Sequence, residues 1–167
     1  MKLIRSISGI RGIIGDNFND IIATKYANSF ISIQKNGPIV IARDTRNQGL
    51  QILNKIKDTL ISLGVDVFDC DINPTPIIQF LVKELNASGG IMITASHNPM
   101  EWNGLKFIDS DGCFINKKKV EALLDNVDNN NLLSNILPKG KITNKKDSVN
   151  LFIDALFKIN FIDIEKI

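Results

Sequence analysis

Apolar and polar positions along the chain switch repeatedly between two periods. "KLIRSIS" alternates weakly, as a short strand does, and runs into the glycine-spaced "GIRGIIG". "DIIATKYANSFISIQKNG" spaces its apolar residues as a helix and stops at Gly37. "PIVIARD" is a short β-branched run, which predicts a buried strand. "NQGLQILNKIKDTLISLG" repeats the helical pattern and stops at Gly64. "VDVFDCD" has period two, "PTPIIQFLVKELNASGG" opens with prolines suited to a helix start and closes at Gly89 and Gly90, and "GIMITA" is the next strand. "LKFID" and "DGCFI" predict a hairpin turning at Asp111 and Gly112. A helix over about 116–127 follows, then the asparagine-rich "DNVDNNNLLSN" as a loop, then an amphipathic helix in "DSVNLFIDALFKINFIDIEKI".

Three successive strand–helix units predict an α/β fold, a three-layer α/β/α arrangement around a mixed, mostly parallel sheet with an antiparallel extension at one edge. No internal repeat is present. Length allows one domain with a full core. Twenty basic residues against eighteen acidic leave too small an excess to point to nucleic acid or a membrane surface. No stretch reaches the roughly 18 apolar residues of a membrane span, and "MKLIRSISGIRG" has no signal-peptide core. Cys70 and Cys113 make no CxxC pair and suit reduced structural thiols. A cytoplasmic domain is the expectation.

The rarest polar chemistry sits in "ITASHNPMEWNGLKF", which holds the single histidine and the single tryptophan. Ser96 follows a predicted strand, where binding residues collect in sheets of this type. A turn or cap serine is the commoner meaning of such a Ser–His pair. A hydrolase triad is a poor alternative, because adjacent side chains rarely face each other and no G-x-S-x-G elbow is present. A phosphate-carrying hydroxyl would need exposure, nearby cations and a metal to neutralise about two negative charges.

"TASHNP" at 94–99, with "WNGLKF" after it, resembles the phosphoserine loop of the α-D-phosphohexomutases. "SGIRG" at 8–12 is similar to that family's amino-terminal arginine loop, "ARDTR" at 42–46 to its "GRDTR", and "NPTP" at 73–76 to its "TP" helix start. Four motifs in the family's order are far more specific than "SHNP" alone. The resemblance implies a phosphate shuttle between hexose 1-phosphate and hexose 6-phosphate through a hexose 1,6-bisphosphate. It makes Ser96 the phosphoryl carrier and, through its phosphate, a Mg2+ ligand. It sets His97 and Arg11 beside the phosphate and Lys106 as the general acid/base. Arginine suits phosphate because it stays charged and offers a donor fork. Lysine begins near pKa 10.4 and needs cations or desolvation to act as a base. Asn103 and Gly104 would shape the turn presenting Lys106.

Other features read more plainly. Gly9, Gly12 and Gly15 are spaced G-x-x-G-x-x-G, not as a dinucleotide fingerprint; "GIRG" follows a strand-like run rather than joining the helices of an RNA-binding KH module. A tight turn is the plain meaning of these glycines. Asp44 and Arg46 suit the start of the helix near Asn47. Asp109 and Asp111 suit a turn, and Lys117 to Lys119 a solvated helix face. The family's "DGDGDR" metal loop and sugar-binding segments are absent from the sequence, and its members run to about three times this length. Residues 1–167 therefore read as the family's first domain, with 1–140 as core and 141–167 as a helix leading toward a second domain. Alone it is expected to be inactive. The amino-terminal "SISGIRGIIG" departs from the "TDGIRG" of many glucosamine-phosphate mutases. A non-catalytic sugar-phosphate-binding or interaction domain is the alternative.

Overall fold

The computed structural model describes residues 2–134 and 138–159. In chain order it holds β1 (Ile4–Ser6), β2 (Gly9–Ile13), α1 (Asp20–Ser32), β3 (Ile39–Arg43), α2 (Gly49–Ser62), β4 (Val67–Ile72), α3 (Thr75–Glu84), β5 (Gly89–Ile93), β6 (Trp102–Asp109), α4 (Lys117–Asp128), β7 (Ile142–Asn144) and α5 (Ser148–Phe157). The strands form one sheet in the order β1-β2-β6-β5-β3-β4-β7. β3 is parallel to β4 and β5, and β4 to β7, whereas β5–β6, β6–β2 and β2–β1 are antiparallel. β7, β4, β3, β5 and β2 thus share one direction.

Two separate apolar layers explain the period-two pattern of the strands. Ile39, Ile41, Ile91, Ile93, Leu105 and Phe107 pack under α1, α2 and α4. Val40, Ala42, Met92 and Ile108 pack on the other face with α3, where Leu151 and Phe152 of α5 also lie. β3 is covered on both faces, so Ile39 to Ala42 form a continuous buried run rather than an alternating one. α1 begins where Asn19 accepts from Ile22 N at 2.9 Å, and α4 where Asn116 accepts from Lys119 N at 3.0 Å, both as side-chain N-caps. α2 gives way at Leu63, and Gly64 follows at φ +75, the left-handed stop that its position suggested.

Several local expectations are corrected. Gly9 and Gly12 lie inside β2 rather than in a turn, and at Gly9 glycine is required because a Cβ would come within 1.9 Å of Leu105 O on the neighbouring strand. α3 ends at Glu84 with Asn86 at φ +49, and Gly89 and Gly90 belong to β5. At Gly90 a Cβ would meet Val82 at 2.8 Å, so the residue lets α3 sit close to the sheet. The second arm of the predicted hairpin is a single bridge from Ile108 to Phe114. Its turn is as expected: Asp109 accepts from Ser110 N and Asp111 from Cys113 N, each at 2.8 Å. Lys119 is not a solvated residue, since it pairs with Asp109 at 2.7 Å. Both cysteines are free, Cys70 buried and Cys113 exposed. The first residues of the asparagine-rich segment complete α4. β7 was not predicted: its three residues are all exposed, and it adds to the sheet through the backbone. The predicted last helix is α5, and its extension over 160–167 lies outside the described residues. No helix among the described residues is long and apolar enough to cross a membrane.

Candidate active site

β3 and β5 are parallel neighbours, so the chain leaves their carboxyl ends side by side. Asp44 N donates to Ile93 O at 3.0 Å and joins the two exits. The Asp44 carboxylate then accepts from Thr94 Oγ1 at 2.7 Å and from Arg46 N and Nε, each at 3.1 Å. Thr94 Oγ1 accepts in turn from Ser96 N at 2.9 Å. Ser96 itself is exposed and has φ +58, the left-handed region that a residue with a side chain seldom enters.

Arg11 reaches this loop from β2. Its Nη1 donates to Asn98 Oδ1 at 3.1 Å, two residues beyond Ser96. Arg11 stands opposite Gly104 in the ladder, and Lys106 is two residues further along β6 on the same face. Burial lowers the Lys106 pKa, and the Arg11 guanidinium lowers it further. Lys106 Nζ lies 5.3 Å from the Phe114 ring centroid. Arg11 thus touches the Ser96 loop through Asn98, and Lys106 lies near enough to Arg11 to feel its charge. His97 is exposed on the same loop, with no side-chain partner among the described residues. Asn103 and Gly104 lie within β6 rather than in a turn. Asn103 is fully buried and its Oδ1 accepts from Gly104 N at 2.9 Å.

Arg46 is the residue whose part the sequence reasoning missed. It does not serve α2, whose N-cap Gln48 makes no side-chain cap. Arg46 is instead 5% exposed and donates to the carbonyls of Ser96 at 3.0 Å, Asn98 at 2.7 Å, Trp102 at 3.0 Å and Pro99. "ARDTR" carries its letters, but nothing in the string separates a cap from a buried guanidinium. A hollow of about 660 Å³ lies elsewhere, at the amino ends of the strands beside Gly37, Val65 and Ser88.

The family model described as phosphoglucomutase/phosphomannomutase, alpha/beta/alpha domain I, matches residues 2–133. This chain belongs to the α-D-phosphohexomutase family. A phosphoglucosamine mutase of Prochlorococcus marinus subsp. pastoris is 36% identical over 160 residues, which is 93% of this chain and 35% of that protein. A phosphoglucomutase/phosphomannomutase of Thermococcus kodakarensis is 34% identical over 167 residues, 95% of this chain and 36% of the relative. The phosphohexomutase domain described here therefore spans about a third of the length of these relatives. Among solved structures, a phosphoglucomutase/phosphomannomutase family protein of Burkholderia thailandensis shares the fold, with TM-score 0.76 at 23% identity over 93% of this chain and 37% of that one.

The magnesium that the family resemblance implies finds no complete site here. Among the described residues no three His, Cys, Asp or Glu side chains gather as a metal would need.

Proposed function

We propose that this chain is the phosphoserine domain, residues 1–167, of a mutase that interconverts hexose 1-phosphate and hexose 6-phosphate through a hexose 1,6-bisphosphate. One observation supports the reading: an exposed, left-handed serine just past a strand end lies on a loop that Arg11 reaches through Asn98, and Arg11 in turn lowers the pKa of Lys106. In the forward half, a hexose hydroxyl attacks the phosphorus carried on Ser96. The new sugar O–P bond forms as the Ser96 Oγ–P bond breaks, and the hydroxyl proton passes by way of Lys106 to the departing Ser96 Oγ, which leaves as the neutral hydroxyl. Arg11 stabilises the oxygens of the moving phosphoryl group, and His97 stands ready to donate to them. In the return half, the Ser96 hydroxyl attacks the other phosphorus of the bisphosphate, the sugar O–P bond there breaks as the Ser96 Oγ–P bond forms, and the hydroxyl proton passes by way of Lys106 to the departing sugar oxygen.

The remaining length of the polypeptide would supply the sugar site, the other ligands of Mg2+ and the rest of the charge stabilisation. Phosphate-ester reactions need up to about 10²¹-fold acceleration, most of it from positioning and charge. This domain alone is therefore inactive in turnover. The test is intact mass of the full-length polypeptide after incubation with glucose 1,6-bisphosphate and Mg2+. A gain of one phosphoryl group, absent in Ser96→Ala, supports the reading. No gain would leave a non-catalytic sugar-phosphate-binding domain.

A further inference from the structure

The N–H and the C=O of Ser96 are both tied to one ion pair, between the buried Arg46 and the partly buried Asp44. Ser96 N reaches Asp44 through Thr94 Oγ1, and Ser96 O accepts from Arg46 Nη2. Only the side chain is left facing outward. The guanidinium has five N–H donors, and five acceptors meet them: the Asp44 carboxylate and the carbonyls of Ser96, Asn98, Pro99 and Trp102. A buried cation without such partners would be costly, and here Asp44 also supplies the opposing charge.

Carbonyls drawn inward have a consequence on the other side of the loop. In a trans peptide the C=O and the N–H point in opposite directions. An inward Ser96 carbonyl therefore turns the His97 N–H outward, and an inward Pro99 carbonyl does the same for Met100 N–H. Neither amide donates to another backbone group among the described residues. Following an inward Asn98 carbonyl comes Pro99, which has no N–H to orient. Outward amides beside an exposed hydroxyl are donors suited to an anion carried on that hydroxyl.

We propose that Arg46, braced by Asp44, is a positioning residue for phosphoryl transfer, holding Ser96 in its left-handed conformation and turning the His97 and Met100 amides toward the phosphoryl group. The proposal deepens the reading of Ser96 as carrier and rests on it. Lysine cannot replace this arginine, because three donors on a point charge leave two of the five acceptors unmet.

The experiment compares wild type, Arg46→Lys and Thr94→Val in the full-length polypeptide. Phosphoryl uptake from glucose 1,6-bisphosphate is timed by intact mass, and amide hydrogen exchange is read across 94–103. Arg46→Lys is expected to lower the maximal uptake rate about 100-fold, as a misplaced reacting group does, with the half-saturating bisphosphate concentration unchanged. Exchange should quicken in the loop at Ser96, Asn98 and Trp102 while that of β3 and β5 stays as in wild type. Thr94→Val, which leaves the guanidinium in place, should give a smaller loss in the same direction. Wild-type uptake rate in Arg46→Lys, or a loss matched by a loss of folded protein, overturns the proposal and leaves the carrier reading intact. A wild-type protein that takes up no phosphoryl group overturns the carrier reading and the proposal with it.

Discussion

Arg11 and Lys106 share one face of the β2–β6 pair, and the residues opposite and beside them are glycines. Gly104 faces Arg11 across the ladder, and Gly9 lies so close to Lys106 that a Cβ there would come within 3.1 Å of its Cα. Two cations are thus held near each other without an intervening side chain. The pKa of Lys106 falls, first through burial and then through Arg11. In the window between that lowered value and the ordinary 10.5, the unfolded chain binds more protons at this site than the folded one. Lys106 therefore weakens the fold at neutral pH, and the penalty fades as pH rises through the window. The stability of wild type relative to Lys106→Met, from urea unfolding, should increase as pH is raised toward 10.5. A difference that is flat or falls with pH would contradict the arrangement. Arg11→Met should raise the Lys106 pKa, read directly by NMR titration of its side chain.

Gly104 sits where β2 and β6 run very close. A Cβ there would meet Ile10 O at 2.1 Å and Arg11 Cα at 3.1 Å, and backbone cannot give way as a side-chain tip can. Gly104→Ala should cost about 2–3 kcal/mol or more in stability, as overpacked sites do. Gly15 has φ +83 with nothing within 4 Å, so Gly15→Ala should cost only the left-handed penalty of about 1 kcal/mol. Chemical denaturation of the two variants checks the ordering. Equal costs would show that the strand approach at Gly104 is looser than described.

The same contrast explains how far the sequence could be read. Elements that bury a face announced themselves: α2 through Ile52, Leu53, Ile56 and Leu60, and β3 through its β-branched run. β7 had no such signal, because Ile142 to Asn144 bury nothing and are held by backbone bonds such as Val67 N to Lys141 O at 2.8 Å. Glycines misled where their reason was the close approach of another element, as at Gly9 and Gly90, since that distance is not a local property. In the candidate site, family motifs marked the positions of Ser96, Arg11 and Lys106. Arg46 was not, because its four carbonyl partners lie about fifty residues away and carbonyls leave no mark in a string of side chains.

The two thiols should differ sharply in reactivity. Burial pushes the Cys70 thiol up to about 12, with Asp69 adding to the effect, whereas Cys113 is exposed on the turn after β6. The thiolate is the reactive form, and Cys70 lacks both thiolate and access. Iodoacetamide at mildly alkaline pH should add one label to the native chain, located on Cys113 by peptide mass, and a second only after unfolding. Rapid double labelling of native protein would show that the α3 side of the sheet opens readily.

Ser96 occupies a conformation that costs a residue with a Cβ about 1–2 kcal/mol, and the loop repays this through Thr94, Asp44 and Arg46. Ser96→Gly and Ser96→Ala both delete the exposed hydroxyl, so they differ chiefly in this backbone penalty. Glycine gains at φ +58 but loses part of the gain to the greater freedom of its unfolded chain. Ser96→Gly should therefore be more stable than Ser96→Ala by about 1 kcal/mol, the reverse of the usual order. Thermal or urea unfolding of the pair reads this directly. Alanine proving the more stable of the two would mean that Ser96 relaxes out of the left-handed region in solution, and that its carbonyl is not held by Arg46.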